Sequence, residues 1–313
     1  MLDASLANDS SHSTFVLRGF SGLLALPLAA SYLAVLLGNA LLVYVILHVE
    51  RLHGPMHLLI CTLCVVDVTV ASAIVPNMLL GLLSDSYDIS LAGCLTQMFF
   101  THFLSSLEST LLLAMALDRY VAICLPLRYG ALMGSSVFAA LLAFTVVRSG
   151  SVMGTLVALA APLRFCGSNA IQHCYCDHMA LVSLACDSTD RNRAAGLAVI
   201  LCFVGVDVPL IFLSYTKILR VVLRAAPAGP DRWKAFHTCG THLMVMMCFY
   251  LVGSITFLSH HLNVPVPSDV NVFLGLVYIL FPATVNPVIY GVRTKEIRNG
   301  LMRAFRVRGT ETG

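Results

Sequence analysis

Long apolar runs, broken by short polar segments, dominate the chain. Seven can be traced, over residues 20–49, 56–83, 94–123, 137–162, 194–223, 236–262 and 270–292. A helix needs about 20 apolar residues to cross the hydrocarbon core of a bilayer, and each run is long enough. Polar residues inside them include Asp67 in the second, Glu108 in the third, Arg148 in the fourth, and Asn271, Thr284 and Asn286 with two prolines in the seventh. Prolines are tolerated in spanning helices whose neighbours satisfy the freed carbonyls. Past the seventh run, in RTKEIRNGLMRAF, Ile297, Leu301 and Phe305 recur every four residues, and Arg298, Arg303 and Arg306 are placed to meet anionic lipid. That predicts a short amphipathic helix lying on a membrane surface.

The expected fold is therefore all-α, a seven-transmembrane helix bundle followed by a short surface helix. The division is an N-terminal segment 1–21, a bundle 22–292 and a tail 293–313, with no internal repeat or low-complexity tract.

Composition supports a membrane protein. The chain is 58% hydrophobic and 11% charged, whereas soluble domains carry about 25% charged residues. The net charge of +3 matters less than its placement. Fourteen basic residues fall in the alternate segments that include the C-terminus, four fall on the other side, and Arg148 lies within a span. The bias puts the C-terminus in the cytoplasm. Asn8 opens an Asn-Asp-Ser glycosylation sequon that fits an outside N-terminus. No cleavable signal peptide is expected, so the first span is read as the signal.

The triplet Asp118-Arg119-Tyr120 sits where the third helix meets the cytosol. Charged residues commonly end spanning helices, and Arg snorkels to the interface. The surrounding sequence says more. NPVIY at 286–290, Asn39 in the first span, Asp67 in the second and Cys94 at the outer end of the third together resemble rhodopsin-type G-protein-coupled receptors. MALDRYVAICLPLRY at 115–129, LHGPMH at 52–57, KAFHTCGTH at 234–242, Ser214-Tyr215, and PATVNPVIYGVRTKEIR at 282–298 are similar to the olfactory receptors. Five motifs fall in order over nearly the whole chain. THFLSSLEST and GVRTKEIR are more similar to the class I branch. His57 stands where the family usually has Tyr, and His237 and Thr241 stand where it usually has Ser.

The resemblance implies an odorant receptor in the plasma membrane, acting through a stimulatory olfactory-type G protein to raise cAMP. Asp118 would hold Arg119 at rest. On activation the sixth helix swings outward and Arg119 meets the Gα subunit, while Tyr215, Tyr290, Asn286 and Pro287 support the open form. Walls of an odorant pocket would include His102, Ser105 and Ser106 on helix three, Val199 and Phe203 on helix five, and Gly253, Phe257, His260 and His261 on helix six. Leu276 on helix seven and Asp177 and His178 from a loop would complete it. For Val199, Phe203 and Leu276 plain packing is an equal reading, and His260 and His261 also suit a membrane interface. Class I receptors are associated with polar odorants, including short acids held by an Arg on helix six; His261 stands at the matching position.

Asp67 and Glu108 raise a separate question. A charge at mid-bilayer is expensive and usually functional. Two carboxylates in one cavity repel, so either one holds a proton or a cation sits between them. In related receptors such a pair resembles a sodium site. Four of the eleven cysteines, Cys166, Cys174, Cys176 and Cys186, crowd the loop between the fourth and fifth runs. Their spacing does not match paired zinc ligands. The resemblance implies Cys94–Cys176 and Cys166–Cys186 disulfides and leaves Cys174 odd; from the residues alone other pairings stay open.

Rival classes are weaker. A transporter of a small solute, the alternative reading, would show matched halves with broken helices. An enzyme would show a nucleophile with its base, or an HExxH motif, and the chain has neither. Expected partners are a small-molecule odorant, the G protein and membrane lipid, with no nucleic acid.

Overall fold

The computed structural model describes residues 11–17, 25–83, 87–166, 168–171, 173, 175–225, 229–261 and 267–310. Ten α-helices and three short strands fill them: β1 (Thr14–Leu17), α1 (Ala25–His48), α2 (Pro55–Leu83), β2 (Tyr87–Ser90), α3 (Leu91–Cys124), α4 (Tyr129–Leu132), α5 (Ser135–Ala160), β3 (Ala170–Ile171), α6 (His178–Val182), α7 (Asp190–Ala225), α8 (Pro230–His261), α9 (Ser268–Arg293) and α10 (Lys295–Thr310). Among the described residues, six helices are long and apolar enough to cross a membrane: α1, α2, α3, α5, α7 and α9. In α8 the corresponding apolar stretch, His242–Ile255, is shorter. This is a multi-pass membrane protein, and its helices carry their apolar side chains outward as well as inward. Leu37, Phe144 and Phe212 are all largely exposed, as expected where lipid is the solvent.

α3 is the central post. It packs against α2, α5, α7 and α8, and it buries a polar row that includes Thr101, His102, Ser105, Ser106, Glu108 and Ser109. Ser90 caps its start, accepting from the Gly93 amide. α1 and α9 are joined through Asn39, whose Nδ2 donates to the carbonyls of Val35 at 2.9 Å and Ala283 at 3.0 Å. Gly38 allows that approach: a Cβ there would lie 3.1 Å from the Pro287 ring.

A small sheet covers one end of the bundle. β1 lies centrally, antiparallel to β2 and parallel to β3. Phe15 of β1 is fully buried and meets Phe165 edge-on at 5.2 Å. The backbone of His12 donates to Phe165 at 2.7 Å. A second, smaller apolar core, containing Phe15, Ile89, Met98, Phe165 and Leu181, forms beneath the sheet. The segment before the first span is thereby a structural part of the cover.

Candidate functional site

Two disulfides fix the cover. Cys94, in the first turn of α3, is joined to Cys176, and Cys166 is joined to Cys186. Gln97 reinforces the first, its Oε1 accepting from the Cys176 amide at 3.0 Å. Beside the second, Arg164 donates to Asp187 through Nε at 3.1 Å and Nη2 at 2.9 Å. Those bonds, followed by one from the Arg164 amide, hold the Asp187 carboxyl below its ordinary pKa. Their contribution is present at neutral pH and fades as pH falls through the lowered value. Cys174 lies outside the described residues.

Beneath the cover a cavity opens between α3, α5, α7, α8 and α9, with about 870 Å³ of empty space counted to its open mouth. α3 contributes Thr101, His102, Ser105, Ser106 and Ser109; α7 contributes Val199, Ile200 and Phe203. Phe249, Tyr250 and Gly253 come from α8, Tyr278 from α9, and Tyr175, Asp177 and His178 form the roof. Apolar walls with a few convergent polar groups are typical of small-molecule sites. None of the described lining residues is Lys or Arg.

Local folding explains the roof. Asp177 is the N-cap of α6, its Oδ2 accepting from the amides of Met179 at 2.9 Å and Ala180 at 3.2 Å. Its other oxygen faces His102 Nε2 at 3.4 Å. His102 Nδ1 lies 2.9 Å from the Met98 carbonyl. A carbonyl only accepts, so Nδ1 carries the hydrogen. Gly253 shapes the wall: a Cβ there would meet the Tyr278 ring at 2.9 Å, so only glycine lets that ring lie against α8. Tyr278 is also hydrogen-bonded to Ser105.

The floor is a buried polar chain. Arg148 Nη1 pairs with Asp207 Oδ1 at 3.0 Å, and its Nη2 donates to the Cys202 carbonyl at 2.6 Å. The guanidinium lies 4.3 Å from the centre of the Phe203 ring. Ser109 donates to Asp207 Oδ2 at 2.8 Å, and Tyr250 Oη lies 2.9 Å from Ser109 Oγ. Since the Ser109 hydrogen is committed to the carboxylate, Tyr250 is the donor in the second bond. Four helices, α8, α3, α7 and α5, meet in this one chain.

Comparison with known proteins decides the family. The model of the family described as olfactory receptor matches residues 28–308. Human olfactory receptor 52D1 is 40% identical over 310 residues, covering 97% of each chain. Human olfactory receptor 51E2 is 40% identical over 302 residues, covering 95% of this chain and 94% of its own. The chain belongs to the olfactory receptor family. It is an odorant receptor, not an enzyme.

In the receptor, the expected pocket residues His102, Ser105, Ser106, Val199, Phe203, Gly253, Asp177 and His178 line one cavity. Leu276 is not among its walls; it packs against the main apolar core. Asn8 and the side chains of Phe257, His260 and His261 lie outside the described residues.

At the far end of the receptor's α3, Asp118 is fully buried. Arg119 Nη2 donates to it at 2.7 Å, and Tyr129 Oη donates to its other oxygen at 2.7 Å. Burial, with that bond to Asp118 and its charge, pushes the Tyr129 phenol well above its ordinary pKa, so it stays a donor. Tyr120 is partly buried against the core. Tyr215 and Tyr290 are buried to 2% and 1% exposure, and neither hydroxyl has a hydrogen-bond partner among the described residues. His242 is tilted against Tyr290, ring centres 5.6 Å apart. Pro287 sits within α9 beside Asn286.

Midway along the bundle, Asp67 and Glu108 are both buried, within reach of each other's charge. Asn286 Nδ2 donates to Asp67 Oδ2 at 2.9 Å. The receptor's polar floor, Arg148–Asp207–Ser109–Tyr250, escaped the sequence reading. Its signal was there: a lone Arg inside a span needs an anion in another span.

Proposed function

We propose that the receptor binds a neutral polar odorant in the covered cavity and activates a stimulatory G protein, raising cAMP at the plasma membrane. The observation that carries the ligand class is the charge of the walls. An acid would meet Asp177 and, among the described walls, no Lys or Arg. A ketone, lactone or ester needs only a hydrogen bond from a wall group such as a Ser105 or Thr101 hydroxyl, the latter buried without a hydrogen-bond partner among the described residues, with Phe203 and Phe249 burying its tail.

In this reading seven helices cross the membrane, α8 included, with Asn8 glycosylated outside and the C-terminus inside. α10 lies on the inner leaflet, its arginines toward anionic lipid. Ligand above Tyr250 biases the Tyr250–Ser109 bond and so the position of α8. At the inner end Arg119 leaves Asp118 for the Gα subunit. The idle hydroxyls of Tyr215 and Tyr290 supply bonds that the open form makes and the resting form does not. A ligand shifts this equilibrium only by its differential affinity for the two forms.

Asp67 and Glu108 fit a sodium ion. Oxygen ligands suit a hard cation, and two buried carboxylates need a cation or a proton to coexist. The ion would supply one positive charge between them, while Asn286 keeps Asp67 oriented.

The test is a cAMP assay in cells against a chemically broad odorant panel, with and without the olfactory-type stimulatory Gα. Responses to neutral carbonyl compounds that depend on that Gα support the reading. Responses confined to carboxylic acids, or independent of the Gα, overturn it.

A further inference from the structure

The only tryptophan of the chain, Trp233, stands near the N-terminal end of α8 and is 73% exposed. α8 runs unbroken from Pro230 to His261, so the turn of about 3.6 residues fixes which side chains share a face. Trp233 and Leu251 are about five turns apart and lie on one face. Met244, Met247 and Ile255 belong to the same face, and all of these are exposed apolar side chains. His242 is about two and a half turns from Trp233 and therefore opposite it. His242 is buried, and so are Cys239, Val245, Met246 and Phe249 on its side of the helix. Trp233 thus continues the outward apolar stripe of α8 beyond the apolar stretch itself.

The two faces have different neighbours. His242 lies within reach of the Arg119 charge, so the side of α8 that closes over Arg119 is the His242 side. A Gα segment that engages Arg119 would meet that side, and Trp233 points away from it. The length of the helix fits a lipid contact instead. Residues 235–261 include no Lys, Arg, Asp or Glu. At about 1.5 Å per residue they extend about 40 Å, the thickness of a bilayer with its headgroup layers. Trp233 stands just before that stretch, between Arg232 and Lys234. Asp231 precedes them and leaves the segment net basic, which suits an anionic inner leaflet.

We propose that Trp233 is an interfacial anchor, its indole lying among the lipid headgroups at the inner end of α8 with Nε1 donating to a lipid oxygen. The inference rests on the reading that α8 crosses the membrane. An indole joins a large apolar ring to a single N–H donor, which is why tryptophan gathers at membrane–water boundaries. In water the exposed ring keeps its apolar area hydrated. In hydrocarbon its N–H finds no acceptor. The headgroup layer satisfies both parts of the side chain. Anchored there, Trp233 sets the depth of the end of α8 that moves in the proposed activation.

The experiment reads the emission of the unaltered full-length receptor in vesicles of phosphatidylcholine and phosphatidylserine, where this one tryptophan is the whole indole signal. Bromine quenches indole at contact, so lipids brominated near the top or near the end of the acyl chain report its depth. Emission should be blue-shifted from that of indole in water, and the shallow bromine should remove more of it than the deep one. Emission at the aqueous wavelength with no loss to either lipid would overturn the proposal and leave Trp233 free to contact a cytoplasmic protein. Greater loss to the deep bromine would overturn it too, by placing the ring in the hydrocarbon core. A second receptor, Trp233→Phe with Leu251→Trp, moves the indole about 27 Å along the same face, to near the middle of the uncharged stretch. There the deep bromine should quench most. If it does, and Trp233 is quenched by neither lipid, the anchor fails while the crossing of α8 stands. If neither indole is quenched, the crossing fails as well. The unaltered receptor decides the anchor even where the double variant does not fold.

Discussion

The hydroxyls of Ser109 and Tyr250 lie 2.9 Å apart on the floor of the covered cavity, with Tyr250 donating and Ser109 passing its own hydrogen to Asp207. The bond joins α3 to α8, and both residues also line the cavity. In the proposed function it is thus the point at which a ligand would contact the helix that moves on activation. Tyr250→Phe keeps the ring and deletes the donor. Agonist potency should change by about fivefold or more, the weight of one hydrogen bond, at unchanged surface level. Asp207→Ala should behave differently, because it strands the Arg148 cation. Breaking a buried pair costs about 3–5 kcal/mol, so surface delivery should collapse. Equal cAMP responses from Tyr250→Phe and wild type at matched expression would remove the bond from the signalling route.

The second relationship is the Asp118–Arg119 contact of 2.7 Å. A hydrogen bond to a charged group is worth about 1.5–3 kcal/mol, enough to hold most molecules in the resting form. Asp118→Asn should therefore raise cAMP without ligand. Arg119→Ala should abolish the agonist response with folding intact, because in the proposed active form its partner is the Gα subunit. A full response from Arg119→Ala at matched surface density would show that Arg119 has no part in coupling.

These two sites were unequally legible in the sequence. Six of the seven apolar runs announced helices long and apolar enough to span, and the run at 236–262 fell on α8, whose apolar stretch His242–Ile255 is shorter. The ends were less visible. α7 starts at Asp190 and α8 at Pro230, each several residues before its apolar run, since a helix can continue into water once its apolar part is anchored. The sheet left no trace: its strands are four, four and two residues long, too short for an alternating pattern, and they pair across distant parts of the chain. Arg148 was visible as an anomaly, but its partner Asp207 is 59 residues away, and only packing brings them together.

The cover yields a prediction about stability. Cys94–Cys176 closes a segment spanning 82 residues. Removing a native disulfide commonly costs about 2–5 kcal/mol. Cys94→Ser should lower surface expression sharply, and Cys94→Ser with Cys176→Ser should be no worse, because both lose one bond. Peptide mapping without reduction is the direct check, and a free Cys94 thiol in folded receptor would contradict the pairing.

The buried carboxylates allow an ion test. If sodium bridges Asp67 and Glu108 in the resting packing, agonist potency should fall as sodium replaces a large inert cation. In Asp67→Asn, which removes one of the two charges, the dependence should vanish. A wild-type receptor indifferent to sodium points instead to a proton shared by the pair.

The last prediction concerns the ligand itself. His102 Nδ1 donates to Met98, and its Nε2 is turned toward the Asp177 carboxylate 3.4 Å away. The roof therefore presents a carboxylate where an acid-binding site would need a fixed cation. An Arg offers a permanent charge and a two-pronged fork; the described walls contain none. Paired carboxylic acids and their methyl esters, assayed at pH 7.4, should show the esters as the stronger agonists. Asp177→Asn removes the opposing charge but also weakens the cap of α6, so it should narrow the ester advantage at some loss of expression. Thr101→Val and Ser105→Ala test the donors directly, and at least one should lower ester potency by about fivefold. Stronger responses to the acids in the wild type would refute the preference for neutral ligands. Unchanged ester potency in both variants would place the ligand's hydrogen bond elsewhere in the cavity.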